Sequence, residues 1–321
     1  MSGGRSFDRR ALLAAGLAGL TLPTIIGCGS DGSPTPEITA EQVQALQDRY
    51  AHRLFEATRT RNRDLLRTIE AGPLLDRDLA TIDLGDRLKA PKTAEEYTLP
   101  NSVGYPVRST TGNDQQQLVT VADYSSTRRG WRDLALYQRS GPAADWLRVY
   151  GAGLHSSDVP AFDHDHPLSP VAPDVAGYPA VPNAVPSLVA KALGDPTSAQ
   201  GRMFADTDVR QRYATTLAAI RKQAAPVGTV TRSYRPGPLV IAIAITEGYL
   251  ALGCFDYDET LIARHGRHIT FARKSPQHKA YPGKYRTTTA TYGAMFAAVV
   301  PKQGRLRLVS GEQRQTDLTV G

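Results

Sequence analysis

Apolar residues recur every three or four positions from Val43 to Ile69, at Val43, Leu46, Tyr50, Leu54, Ala57, Leu65 and Ile69, while Arg49, Arg53, Arg59 and Arg63 lie mainly on other faces. This period predicts one long amphipathic helix. Thr39 and Gln42 have capping-box spacing, and Ile38 and Val43 fit the hydrophobic staple around it. Gly72-Pro73 is expected to stop the helix, and a shorter amphipathic helix is expected over 76–88. The period then falls to two. Strands are predicted at 118–124, 132–139 and 146–151, and the turn signals Arg129-Gly130 and Gly141-Pro142 make neighbours antiparallel.

Seven prolines crowd residues 160–186, a density that no regular element survives. The pattern then restarts, with helical stretches at 186–193 and 207–223 and strands at 228–234, 239–246, 249–257, 287–300 and 305–310. In the 239–246 strand, large Leu239, Ile241, Ile243 and Ile245 alternate with smaller residues, as expected of a central strand under a helix. The two halves read as degenerate repeats, Leu134–Tyr150 matching Ala294–Val309 in pattern more than identity. The expected organisation is a first α+β domain at 38–158, a proline-rich junction at 159–186 and a second α+β domain at 187–321, each a helix packed on a curved antiparallel sheet.

The first 37 residues carry a different signal. Arg9-Arg10 precedes an uncharged stretch, and Ile25-Ile26-Gly27-Cys28 has the form of a lipobox. Residues 1–27 are therefore read as a secretory signal peptide, Cys28 as the lipidated residue and 28–37 as a polar, proline-containing tether. Asp8-Arg9-Arg10-Ala11-Leu12-Leu13 is similar to a twin-arginine export signal, although Asp8 departs from the usual Ser or Thr. The expected location is the extracytoplasmic face of a cell membrane, with the lipid anchor as the membrane contact. Without the signal's charges the chain holds 35 Lys and Arg against 30 Asp and Glu, interleaved along its length. That balance and the export signal argue against nucleic acid as a partner. Of the two cysteines, Cys28 is assigned to the lipid, so Cys254 has no intramolecular partner and reads as a small buried hydrophobe.

A helix followed by a strongly bent antiparallel sheet resembles the NTF2-like, cystatin-like α+β fold, here as two tandem units. More narrowly, the chain resembles an uncharacterised family of actinobacterial lipoproteins that carry a domain of unknown function. The residues that carry this are Tyr50, Arg61-Asn62-Arg63-Asp64-Leu65-Leu66, Ile69-Glu70-Ala71-Gly72 and Trp146-Leu147-Arg148-Val149, with Gly237-Pro238-Leu239-Val240 and Ala297-Ala298-Val299-Val300-Pro301 in the second half. The resemblance implies no catalytic residue. Residues 61–64 and Glu70 are expected to form a buried polar network that sets the helix against the sheet.

Three clusters have the residue types for chemistry. Asp163-His164-Asp165-His166, with His155 and Asp158 upstream, offers imidazole and carboxylate ligands for zinc, nickel or copper, but opens the proline-rich segment. His265, His268 and His278 lie among Arg264, Arg267, Arg273 and Lys274, a setting that suits an anion better than a metal. Asp256 and Asp258 share one face of a strand end, where an inward carboxylate would serve as a base. No nucleophile elbow, zincin, P-loop or dinucleotide fingerprint is present, and no cofactor is implied. The leading reading is a non-catalytic envelope lipoprotein that binds a small ligand or an envelope protein. The alternatives are a hydrolase or isomerase with a carboxylate in a cup-shaped pocket, and a metal-binding accessory protein.

If Cys28 is the acyl acceptor, Cys28→Ser abolishes labelling by a radioactive or clickable fatty acid, because only the thiol forms the thioether. Labelling that survives the change removes the lipobox assignment.

Overall fold

The computed structural model describes residues 38–109, 115–125, 129–163 and 165–321. The signal and tether, with Arg9, Arg10 and Cys28, and also His164, lie outside the described residues. Helix α1 (Ala40–Thr60) starts as expected: Thr39 Oγ1 accepts from the Gln42 amide at 3.3 Å, and the Thr39 amide donates to Gln42 Oε1 at 2.9 Å. It does not run on to Ile69. Arg61 turns left-handed at φ 55°, and Asn62 caps a separate short helix, α2 (Arg63–Arg67), by accepting from the Leu65 amide at 3.0 Å. Gly72-Pro73 then opens α3 (Gly72–Arg87) instead of stopping α1. Proline in the first helical turn loses no hydrogen bond and arrives with its φ already set.

The first sheet is a meander of β1 (Val103–Val107), β2 (Gln116–Asp123), β3 (Trp131–Arg139) and β4 (Leu147–His155), all antiparallel neighbours. Strand β1 escaped the hydrophobic pattern because it contains Gly104 and Pro106. Proline is tolerated there because β1 is an edge, and a Cβ on Gly104 would lie 2.6 Å from a Val43 methyl, so glycine lets α1 sit close.

The second half repeats the order. Helices α4 (Val185–Gly194), α5 (Ala199–Arg202) and α6 (Asp208–Ala224) precede a second meander, β5 (Gly228–Ile245), β6 (Gly248–Ala263), β7 (Thr287–Pro301) and β8 (Arg307–Val320). One short helix, α7 (Pro276–Ala280), is inserted between β6 and β7. The two strands expected at 228–234 and 239–246 are a single edge strand that crosses Pro236-Gly237-Pro238 by slipping register. It is an edge and not a central strand, which is what permits two prolines.

The inner faces of both sheets meet in one apolar layer. Val119, Val121, Leu134 and Leu136 of the first sheet share a cluster with Ile241, Ile243, Leu250, Leu252 and Met295 of the second. The outer face of the first sheet is covered by α1 through Val43 and Leu46, and that of the second by α4 and α6 through Val185, Val189, Val209 and Tyr213. The fold is thus α+β with sheet on sheet inside and helices outside. Ser310 on β8 donates to the Gly153 carbonyl on β4 at 2.6 Å, tying the sheets together. Helix α3 leaves its own sheet for the second: Leu84 and Leu88 cluster with Leu318, and Arg87 pairs with Asp317.

The proline-rich segment forms no strand, but it is not a bare spacer. Phe162 and Leu168 are buried in the shared layer. Leu168 exchanges backbone hydrogen bonds with Pro106 and Arg108 at the β1 edge, and Ser169 and Val171 do so with Ala242 and Ala244 at the β5 edge, all at 2.8 Å. The segment covers both sheet edges, which otherwise offer unpaired backbone groups. The Leu168 and Val171 amides should therefore exchange as slowly as those of the neighbouring strands, measured by hydrogen exchange with fragment or NMR resolution. Exchange at the rate of a free linker would show that this lacing does not persist in solution.

Candidate functional site

Arginine is rarely placed inside a protein without a partner. Arg148 on β4 is fully inside: its side chain keeps 4% of its surface, and that of Asp133, its partner on β3, keeps 2%. Nη2 donates to Asp133 Oδ1 at 2.6 Å, Nε donates to the Tyr150 carbonyl at 3.3 Å, and the guanidinium carbon sits 4.4 Å from the centre of the Tyr50 ring. Three local features place it there. Val149 is a bulge, since Tyr137 pairs with Arg148 while Leu136 pairs with Tyr150, and this breaks the strand's alternation. Gly151 supplies room: a Cβ there would collide with the Arg148 guanidinium. Residues 69–71 lace onto the strand, the Arg148 amide donating to the Ile69 carbonyl at 2.9 Å and the Ala71 amide to the Arg148 carbonyl at 3.0 Å.

Glu70, in that lace, is buried and accepts from the Tyr50 hydroxyl at 2.7 Å. Burial, reinforced by the charge of Asp78, pushes its carboxyl up to about 8, so it is largely protonated at neutral pH. Residues 61–64 do not join this network. Arg61 and Arg63 pair instead with Asp83 and Asp86 at the far end of α3, and Asp64 pairs with Arg67 at the surface.

Beside Arg148 opens a cavity of about 280 Å³. Helix α1 lines it with Tyr50 and Phe55, α3 with Arg77 and Asp78, the following segment with Tyr97, and Tyr124, Asp133, Glu312 and Arg314 complete it. The seam between the two halves thus runs through it. Arg77 Nε donates to Asp78 Oδ1 at 2.9 Å, and Arg314 approaches the same oxygen at 3.6 Å. Burial opposes the Asp78 charge, but Arg314 and Arg77 outweigh it and hold the carboxyl below the ordinary range. Asp133 behaves oppositely: burial raises it in spite of Arg148. Four buried polar atoms of this group have no protein partner: Arg77 Nη1, Arg148 Nη1, Asp133 Oδ2 and Glu70 Oε2. Two are donors, and two are carboxyl oxygens.

The second half has the same lace in another chemistry. Phe204 bridges Leu306 in the place of Glu70 and Arg148, with the Leu306 amide donating to Met203 and the Ala205 amide to Leu306. Both residues are fully apolar and buried. The fold does not need a charge at this position, so the polar centre of the first half is a local specialisation.

The residues singled out for chemistry in the sequence lie elsewhere. Asp163 and His166 are exposed, with His166 Nδ1 3.2 Å from Asp163 Oδ2, and the Asp165 amide donates to Asp163 Oδ1 at 2.9 Å. His155 ends β4 with its Nδ1 2.8 Å from the Ser157 hydroxyl. Among the described residues no three His, Cys, Asp or Glu converge as a metal-ligand set. Asp256 and Asp258 stand within β6, which continues to Ala263, and not at a strand end. Asp258 pairs with Arg235 and accepts from the Thr291 hydroxyl at 2.7 Å, and these contacts keep its carboxyl low. Asp256 is raised by partial burial. Cys254 is buried against Met295, its thiol pushed up to about 12 by burial, which makes it unreactive at neutral pH. Of the cavity residues, only Tyr50 and Arg148 stood out in the sequence, through their motifs, as did Glu70 beside them. Arg77, Asp78, Asp133 and Arg314 carry no local sign beyond a charge next to an apolar run.

A family model described as a domain of unknown function, DUF8094, matches residues 34–319, and the chain belongs to that family. No curated protein matches the chain. No solved structure matches it.

A raised carboxyl has a defined signature in stability. Between the ordinary glutamate value of 4.5 and about 8, the folded state holds a proton on Glu70 that the unfolded state has released. Stability from this group is complete below the lower value and is lost as pH rises through the upper one. Thermal midpoints of the wild type should therefore fall over this interval relative to Glu70→Gln, which stays neutral and keeps an acceptor for Tyr50. Parallel curves for the two proteins would mean that Glu70 titrates normally.

Proposed function

We propose that the protein is a membrane-anchored bacterial envelope lipoprotein whose globular part is a non-catalytic module that binds a small polar ligand in the cavity beside Arg148. The anchoring rests on Cys28 and the lipobox before it, and export on Arg9-Arg10. Among the described residues no helix is long and apolar enough to cross a membrane; the assignment of the anchor to the lipid rests on Cys28. The repeated order of three helices and a four-stranded meander supports reading the halves as tandem NTF2-like units, and the actinobacterial lipoprotein type rests on the sequence resemblance alone.

The observation that carries the binding role is the set of unpartnered atoms around the cavity. Arg77 Nη1 and Arg148 Nη1 ask for acceptors, while Asp133 Oδ2 offers an acceptor. Leaving such groups unsatisfied costs about 1–3 kcal/mol each, more than a stability-driven design tolerates. The cavity carries charges of both signs, Arg77, Arg148 and Arg314 with Asp78, Asp133, Glu312 and the exposed Glu95. A bare anion would meet four carboxyl groups and a bare cation three guanidinium groups. A neutral hydroxyl, which accepts from an arginine and donates to an aspartate, meets both needs. The rings of Tyr50, Phe55, Tyr97 and Tyr124 give the flat walls that a sugar or cyclitol ring packs against. The ligand class is a single polyhydroxylated ring. An enzymatic role would draw on Glu70, but that carboxyl is not among the cavity's lining side chains.

Glucose, N-acetylglucosamine and myo-inositol are the probes, each at millimolar excess in a thermal-shift assay with calorimetric follow-up. At least one should raise the midpoint by mass action, while inorganic phosphate and benzoate should not. Arg314→Gln, at a side chain that is 45% accessible, should weaken binding about ten- to a hundredfold, the loss of one charged hydrogen bond. A shift with phosphate or benzoate but with none of the polyols would overturn the ligand class.

A further inference from the structure

The connection between β6 and β7 has a charge imbalance that the cavity does not use. From Thr260 to Gly311 the chain contains no Asp or Glu, and residues 264–286 alone hold seven Lys or Arg and three His. Arg267, Arg273, Lys274 and Lys279 are exposed there. The carboxylates nearest in the sheet are already engaged: Glu259 with Arg232 at 2.8 Å, Asp258 with Arg235, and Asp317 with Arg87. The cations are therefore uncompensated.

They are also held in place. Ile269 and Tyr285 exchange backbone hydrogen bonds at 2.9 and 3.0 Å, so the connection is a closed excursion. The rings of Phe271, Tyr281 and Tyr285 pack on one another at its base, and Ser275 caps α7 by accepting from the His278 amide at 3.1 Å. Arg286 spends its guanidinium on the carbonyls of Arg264 and Arg267 and stiffens the rim.

Next to the cations opens a pocket of about 480 Å³ whose walls are mainly apolar, with Val227, Leu261, Ile269, Phe271 and Leu318, and whose carboxylate, Glu259, is held by Arg232. Few ligands need both features. An acidic polymer would satisfy the charges and leave the pocket empty, and an apolar small molecule would ignore the charges. A phospholipid uses both, with its phosphate among the cations and an acyl chain in the pocket. We propose that the face built from residues 264–286 docks on an anionic phospholipid bilayer, with one acyl chain entering the pocket beside it. This goes beyond the sugar-binding reading and is independent of it. From the proposed anchoring it takes only that a bilayer lies within reach. Each Lys or Arg near an anionic surface adds about 1 kcal/mol, roughly fivefold in partition, and the attraction is screened within a Debye length.

The test is co-sedimentation of the full chain with vesicles of phosphatidylcholine alone, and of phosphatidylcholine doped with phosphatidylglycerol. The segment before Cys28, with Arg5, Arg9 and Arg10, is common to wild type and variant, so the difference between the two proteins on anionic vesicles reads the basic face. The wild type should favour the anionic vesicles, and salt should remove the preference. The variant R267Q/R273Q/K274Q/K279Q changes only exposed side chains and should lose about tenfold or more of the anionic partition while keeping its thermal midpoint and its phosphatidylcholine background. Equal partition into both vesicle types, or an unchanged variant, overturns the proposal. Competition completes it: dihexanoyl-phosphatidylglycerol should displace the protein from anionic vesicles at concentrations where glycerol phosphate and inorganic phosphate do not. Displacement by inorganic phosphate to the same extent would make this a free-phosphate site, and preferential binding of heparin over anionic vesicles would make it a polyanion surface. Either result rejects bilayer docking.

Discussion

Much of the first half is arranged around one buried guanidinium. Taking Arg148 out of water is costly unless its charge is met and its donors are used, and removing one partner of such a pair costs about 3–5 kcal/mol. Asp133 meets the charge from the neighbouring strand, and Tyr50 offers its ring face from α1. Gly151 yields the space, and the bulge at Val149 turns the side chain toward it. Asp133 and Tyr50 lie on β3 and α1, and Val149 and Gly151 on the strand of Arg148 itself, so one interaction constrains α1, β3, β4 and the 69–71 lace together. Tyr137, packed edge-on against Tyr50 at 6.2 Å, extends the order through its hydroxyl to Gln47 and then to Thr120, each bond 2.7 Å.

The second half shows what the charge is not for. Phe204 and Leu306 occupy the corresponding lace and bury without any polar group. Hydrophobic replacement of a buried ion pair is often neutral or stabilising. At the lace itself one copy holds a guanidinium and a carboxyl and the other two apolar side chains, although the second half buries its own arginine, Arg232, against Glu259 elsewhere; on the proposed function, the polar lace of the first half is kept for recognition. The neighbouring cavity, with unpartnered atoms of both hydrogen-bonding kinds, is where that recognition has room to act.

The halves are joined more tightly than a linker would join them. Their sheets share one apolar layer, α3 crosses to the opposite sheet, and the proline-rich segment pairs with an edge strand of each. The arginine cavity draws Arg77 and Arg148 from the first half and Glu312 and Arg314 from the second. Neither half contains the site, which exists only because the sheets are packed face to face. The basic face follows a different logic. It belongs to a single connection between two strands, and it is built locally from cations that a short aromatic cluster holds outward.

Periodicity alone determined much of the secondary structure. The capping box at Thr39, the helices near 76–88 and 207–223, and the core of the strands in both sheets follow from spacing of 3.6 or 2, because a single amphipathic element reports its own buried face. Elements whose reason is non-local were misread. Strand β1 is short and edge-bound, β5 passes through two prolines because no strand of the sheet pairs with its outer side, and the break at Arg61 depends on Asn62 capping a new helix. The absence of carboxylates from Thr260 to Gly311 is also a property of the sequence, but its meaning depends on the apolar pocket that folding sets beside it. Arg148, Asp133, Arg77 and Arg314 lie far apart in the chain, and each alone is one more charged residue among apolar ones. Arg148 and Asp133 meet across one hairpin, but only the packing of the two sheets brings Arg314 to Arg77 and Asp78, and the desolvation that makes them a site is produced by neighbours from other elements.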